Sequence, residues 1–175
     1  MFLRALATSL AMLVLVGCLG GSGPADADLA AWLDDGCDEV LQWARERPVL
    51  PEAPPTLGGL APGPVVAYAD ELAAGADSLT LRLRALGPPG NEAADHLYDD
   101  LLASLAEVST GASSVADEYR SEAAIPLNEL TPLLREATDL SVGVSTAFRA
   151  FSRDPEVGPI VVEIPSCEAV SAIIG

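Results

Sequence analysis

Lysine is absent from this chain, histidine occurs once, and only 5% of the 175 residues are aromatic. All nine basic residues are therefore arginines, which excludes mechanisms that need a lysine amine, such as Schiff-base formation. The single His96 cannot complete a zinc site, and the three cysteines form no C-x-x-C pair. No glycine-rich phosphate loop occurs, and no serine has the surroundings of a catalytic nucleophile. We therefore predict a protein that is not an enzyme and has no cofactor.

Positive charge is also scarce, since 26 acidic residues give a formal net charge of −17. This surface repels polyanions, and no basic stripe is present, so nucleic acid is excluded as a partner. Acidic faces can attract cations or a basic protein partner, but a large net charge first of all keeps a protein soluble. Paired acids recur along the predicted helices at Asp34-Asp35, Asp38-Glu39, Asp70-Glu71 and Asp117-Glu118. Such runs are usually solvated helix faces, and they form a binding surface only where they are contiguous in space.

The N-terminus has the layout of a signal peptide. Arg4 precedes an uncharged apolar stretch from Ala5 to Val16. Twelve residues span only about 18 Å as a helix, which is short of a hydrocarbon core about 30 Å thick. The stretch therefore predicts an export signal and not a permanent transmembrane helix.

The sequence Leu15-Val16-Gly17-Cys18 closes this stretch and resembles the lipobox of bacterial lipoproteins. The resemblance covers residues 1–18 only. It implies removal of residues 1–17 and attachment of diacylglycerol to the Cys18 thiol, which would anchor the protein to the membrane on the extracytoplasmic side of the cell envelope. The alternative is an ordinary secretory signal with an incidental cysteine. Removal of residues 1–17 takes away one arginine and no acid, so the mature net charge becomes −18.

If Cys18 carries lipid, Cys37 and Cys167 remain as the two cysteines of an exported domain. Export permits oxidation, so we predict a disulfide between them. It closes a loop of about 130 residues, to which the chain-entropy model assigns roughly 5 kcal/mol. An intermolecular bridge or two free thiols are the alternatives.

Hydrophobic periodicity predicts an all-α domain over residues 28–175, after a flexible tether at 18–27. We expect helices at about 28–47, 65–86, 91–124, 129–152 and 166–174, with a proline-rich linker at 48–64. Apolar residues in the second and third helices alternate spacings of four and three without a miss, as in a heptad seam. The second helix carries Val65, Ala69, Leu72, Ala76, Leu79, Leu83 and Leu86, and the third carries Tyr98, Leu101, Leu105, Val108, Ala112, Val115 and Tyr119.

Four long amphipathic helices predict an antiparallel four-helix bundle. Two features lie beyond its fourth helix. Ile160 to Ile164 is rich in β-favouring residues but has no second strand to pair with, so we expect residues 155–165 to form an extended strap along the bundle. A short terminal helix follows the strap, and the disulfide would join it to the first helix.

Metal-capable side chains cluster only at the start of the third helix. Glu92, His96, Asp99 and Asp100 share an outer face at spacings of three and four. They are weak candidates for a surface cation site, since carboxylates at a helix N-terminus also complement the helix dipole without a ligand.

The expected function is that of a lipid-anchored, non-enzymatic envelope protein that acts as a binding or interaction module at the membrane surface. A small-ligand or metal-cation delivery protein of the envelope is the alternative. The sequence leaves the partner, the ligand and the oligomeric state open.

Overall fold

A computed structural model describes the backbone of residues 24–49 and 60–174, with side chains placed for 27–49, 60–126, 128–129 and 142–173. The predicted signal peptide, Cys18 and most of the predicted tether lie outside the described residues. So do residues 50–59 of the predicted linker, and the apolar side chains that the sequence places on the first half of the fourth helix. The structure is mostly helical, and its described residues contain no strand.

Six helices follow one another along the chain. They are α1 (Pro24–Glu46), α2 (Pro62–Leu86), α3 (Glu92–Tyr119), α4 (Leu127–Arg153), α5 (Gly158–Val161) and α6 (Pro165–Ile174). The all-α prediction is confirmed. No described helix is long and apolar enough to cross a membrane.

The largest differences between observed and predicted helix ends are at the start of α1 and the end of α3. Helix α1 begins at Pro24, so residues 24–27 are helical and do not belong to a flexible tether. Proline suits the first helical turn, where its missing N–H needs no partner. Helix α3 ends at Tyr119 and not at residue 124, because Ile125 is held extended by an antiparallel bridge to Leu60.

The α2–α3 connection follows the sequence pattern closely. All the predicted seam residues of the two helices are buried except Leu86, which is half-buried. Gly87 and Gly90 both have a φ of 78°, a conformation that favours glycine and allows the reversal between the helices. Asn91 caps α3, as its side-chain oxygen accepts from the Ala94 N–H at 3.1 Å.

The predicted extended strap is wrong, since residues 158–161 form the short helix α5. The side chain of Asp154 accepts hydrogen bonds from the N–H groups of Glu156 and Val157, which starts the turn. Val157 and Val161 then lie one helical turn apart and are both buried. With no strand nearby to pair with, local helical bonds satisfy a backbone that an extended strap would leave unpaired.

Buried side chains form two clusters. The large cluster joins residues of all six helices and includes Cys37 and Cys167. The small cluster lies where α2 begins and α3 ends, and it contains Leu60, Val65, Ala69, Val115, Ala116, Tyr119 and Ile125. The Leu60–Ile125 bridge therefore closes the small cluster with two backbone hydrogen bonds of 2.9 and 3.0 Å.

Helix α1 has unequal neighbours. Within the described residues, its backbone approaches α6 most extensively and α2 less so, and it makes no comparable approach to α4. Helices α2 and α3 form the most extensive pair, and α4 packs on α3. The fold is thus built on the pair α2–α3, with α4 and the pair α1–α6 packed beside it.

Candidate functional site

The disulfide between Cys37 and Cys167 joins α1 to α6. Its sulfurs are 1.95 Å apart, and both residues are buried, with exposures of 3% and 0%. The predicted disulfide is therefore confirmed. Beside it, the Ser166 hydroxyl donates to an Asp34 carboxylate oxygen at 2.7 Å. The first and last helices are thus held together by a covalent bond and a polar contact.

Trp32 connects α1 to the turn between α2 and α3. Its indole N–H donates to the Gly87 carbonyl at 2.9 Å, and its ring meets Tyr98 edge to face, with centroids 5.6 Å apart. The ring also lies over Gly36, where a Cβ would be 3.5 Å from it. Because these contacts fix the ring on three sides, the half-buried Trp32 has a well-defined position between α1 and the α2–α3 turn.

Polar contacts between α1 and α2 continue at Glu39 and Arg82. Their carboxylate oxygen and guanidinium Nε lie 2.5 Å apart, and each side chain is 29% exposed. An ion pair with this much solvent contact stabilises the packing only modestly.

Trp43 lies further along the same side of α1 and is 4% exposed. Its indole N–H has no hydrogen-bond partner among the described residues. A Cβ placed on Gly75 of α2 would lie 3.3 Å from this nitrogen, so glycine permits the close approach. A buried donor without a partner costs free energy, which makes this part of the α1–α2 contact less favourable than its burial suggests.

An apolar crevice lies between α1 and residues of α2, α3, α4 and α5, and its interior volume is about 10 Å³. This volume is close to the least that a single water molecule needs, and an apolar lining gives water no partner. The described lining includes residues from five helices, among them Trp32, Leu83, Leu101, Phe148, Phe151 and Val161. In its present form the crevice is a packing gap and holds no sizeable ligand.

The weak metal candidates lie on the exposed face of α3. Glu92, His96, Asp99 and Asp100 are all exposed, and the described part of the chain contains no group of three metal-capable side chains close enough to hold an ion. The neighbouring Asp95 has a structural contact, because its carboxylate accepts from the Gly90 N–H at 2.9 Å. Carboxylates in this first turn complement the helix dipole.

Two tyrosines next to the site have raised pKa values. Burial is the main cause of the raised pKa of Tyr98, and its hydroxyl donates to the Leu83 carbonyl at 3.2 Å. Burial also raises the pKa of Tyr68, against a smaller opposing effect of Arg47. Both phenols are therefore neutral at physiological pH, and Tyr98 acts as a packing and hydrogen-bonding group.

Sequence reasoning does not find the contacts that Trp32 makes with Gly87 and Trp43 makes with Gly75. It also missed the Glu39–Arg82 pair, because helical spacing does not reveal which residue of another helix faces a given position. No protein-family model, curated protein or solved structure matches the chain.

Proposed function

We propose that this protein is a lipid-anchored, non-enzymatic component of the cell envelope that acts as an interaction module at the membrane surface. The observation that carries the proposal is Leu15-Val16-Gly17-Cys18 at the end of an uncharged apolar stretch. Diacylglycerol on Cys18 supplies two acyl chains, which suffice for stable anchoring where one chain is marginal.

The disulfide supports the extracytoplasmic location. Disulfides persist in oxidising compartments and are rare where glutathione and thioredoxin keep thiols reduced. The Cys37–Cys167 bond joins the two ends of the domain, so its formation is part of the fold. This is consistent with export of the chain before or during folding.

The start of α1 supports a location close to the membrane. Only five residues lie between Cys18 and Pro24, and the six Cα–Cα steps across them span at most about 20 Å. A lipid on Cys18 would hold the helical domain near the headgroups and would allow little independent movement away from the membrane surface.

Charge supports a basic protein as the partner. The exposed acids include Asp34, Asp35 and Asp38 on α1 and Asp70 and Glu71 on α2. Surfaces of this sign attract positively charged partners and speed their association.

We also infer that the four long helices form an antiparallel four-helix bundle. Of these four helices, α1 packs least extensively on the other three. Contacts pair Trp32 with Gly87 and Trp43 with Gly75, so position advances along α1 as it recedes along α2. The pair Tyr119 and Glu129 joins the end of α3 to the start of α4. Spin labels at Asp28 and Arg45 on α1, each measured against a label at Ala85 on α2, test the direction. The antiparallel arrangement predicts the shorter distance from Asp28.

Membrane partitioning of Cys18→Ala tests the anchor. Wild-type protein is expected in the membrane fraction and to resist extraction by high salt, whereas the variant is expected in the soluble exported fraction or as unprocessed precursor. Leu19→Ala is the matched control and should partition like the wild type. Membrane partitioning of a Cys18→Ala protein that has lost residues 1–17, equal to that of the wild type, would contradict the anchor.

Crosslinking in intact cells tests the interaction module. Wild-type protein is expected to crosslink to a basic envelope protein, and charge reversal at Asp35 and Asp38 to arginine is expected to reduce the yield at least fivefold. Reversal at Glu92 and Asp99 to arginine is the matched control on another helix. An unchanged crosslinking yield in the α1 charge-reversal variant would contradict an acidic docking surface on α1. A crosslinked partner without basic character would also contradict it.

A further inference from the structure

The contact between α1 and the rest of the domain contains several local defects. The apolar crevice lies between α1 and the α2–α3–α4 group, where the backbones of α1 and α4 make no extensive approach within the described residues. The unpaired indole N–H of Trp43 lies in the same contact, against Gly75. A packing gap forfeits dispersion contacts, and an unpaired buried donor costs solvation.

We call the contact between α1 and the group α2–α3–α4 the α1 seam. Among the described residues, the polar contacts across it are few and partly solvated. The described ones include the Trp32–Gly87 hydrogen bond and the Glu39–Arg82 ion pair, whose side chains are 29% exposed. The α2–α3 contact is different, because two uninterrupted apolar seams meet there and the pair is the most extensive in the fold. Separation at the α1 seam therefore costs less than separation of α2 from α3.

Helix α6 is bound to α1 more firmly than either is bound to the core. The Cys37–Cys167 bond joins them covalently, and α6 is the most extensive neighbour of α1. A motion that lifts α1 must therefore carry α6 with it.

We propose that α1 and α6 form one disulfide-linked unit that opens from α2–α3–α4 along the α1 seam, without unfolding of the α2–α3 pair. Opening breaks the Trp32–Gly87 and Glu39–Arg82 contacts and uncovers the aromatic rings of Phe148 and Phe151. The residues between α4 and α6, at 154–164, act as one hinge. The crevice is closed at rest, and the opened state is the one that presents an apolar surface.

Hydrogen exchange of the full-length, disulfide-bonded protein, followed by mass spectrometry of its peptides, tests this motion. Amides of α1 and α6 are expected to exchange through one shared opening, at least tenfold faster than amides at the centres of α2 and α3. Exchange of all four helices at one common rate would overturn the proposal. Loss of protection in α1 with retained protection in α6 would also overturn it.

Two variants make the test specific. Trp32→Phe removes the hydrogen bond to Gly87 across the seam, and it is expected to speed exchange in α1 and α6 roughly three- to tenfold. Tyr98→Phe removes a hydrogen bond to Leu83 within the α2–α3 pair. Phenylalanine keeps the ring that meets Trp32, and the lost bond is one that persists in the opened state. Tyr98→Phe should therefore speed exchange in α2 and α3 and leave α1 and α6 unchanged. Faster exchange of α1 and α6 in Tyr98→Phe would contradict the proposed location of the seam.

Discussion

Helices α2 and α3 are neighbours in sequence, whereas the cysteines that join α1 to α6 lie 130 residues apart. The first pair is held by a glycine-containing turn and two continuous apolar seams. The second pair is held by a buried disulfide and a surface hydrogen bond between Ser166 and Asp34. Local contacts close a short loop at small entropic cost, but contacts between chain ends must overcome a much larger one. The covalent bond is therefore found between the two helices whose association closes the longest loop of the chain.

Removal of the disulfide is expected to have the largest effect. The double variant Cys37→Ala/Cys167→Ala should lose about 4 kcal/mol of unfolding free energy, because the unfolded chain is no longer cross-linked. Urea unfolding followed by circular dichroism measures the loss. Ser166→Ala is the control beside the disulfide and should cost less than about 1 kcal/mol. An unchanged unfolding free energy in the double variant would show that α1 and α6 need no covalent link.

A cavity in the α2–α3 pair is expected to have the next largest effect. Leu79 is fully buried, and Leu79→Ala should cost about 3 kcal/mol through lost burial and an unfilled cavity. Leu81 lies two residues away on the same helix and is 67% exposed, so Leu81→Ala should change stability by less than about 0.5 kcal/mol. The same urea experiment compares the two. Equal costs would contradict the assignment of the seam face.

Alkaline pH is expected to have a smaller effect on the unfolding free energy, through the buried Tyr98 phenol in the α2–α3 pair. Since burial raises the pKa of Tyr98 above its ordinary value near 10, the stabilising contribution of the neutral phenol is complete below about pH 10 and is lost as pH rises through the higher folded-state value. The difference in unfolding free energy between wild type and Tyr98→Phe should therefore shrink as the pH rises above about 10. A difference that stays constant above this pH would contradict the burial of the phenol.

The parts of the fold that the sequence predicts well are those with local causes. Every seam residue of α3 is buried as expected, because helical periodicity alone determines which residues share a face. The cap at Asn91 and the turn at Gly87 and Gly90 follow from their own backbone chemistry. The Cys37–Cys167 pairing can be predicted because the chain has only three cysteines and the lipobox resemblance assigns Cys18 to lipid.

The parts that it does not predict depend on partners in space. The β-favouring residues from Ile160 to Ile164 predict a strap. The helical spacing of Val157 and Val161, and the turn that the Asp154 carboxylate stabilises before α5, outweigh that preference. Periodicity indicates that α1 has an apolar face without indicating that α6 would cover it more extensively than α4. The acids and His96 at the start of α3 share a face, but spacing cannot show whether a ligand completes it.

The anchor is the central functional claim, and the mass of the mature N-terminal peptide tests it most directly. Protein extracted from the membrane and digested should yield a first peptide that begins at Cys18 and carries the mass of diacylglycerol on that residue. Treatment with base should remove the fatty acids of the ester-linked lipid and lower the mass accordingly. A first peptide that begins at another residue, or an unmodified Cys18, would contradict lipid anchoring.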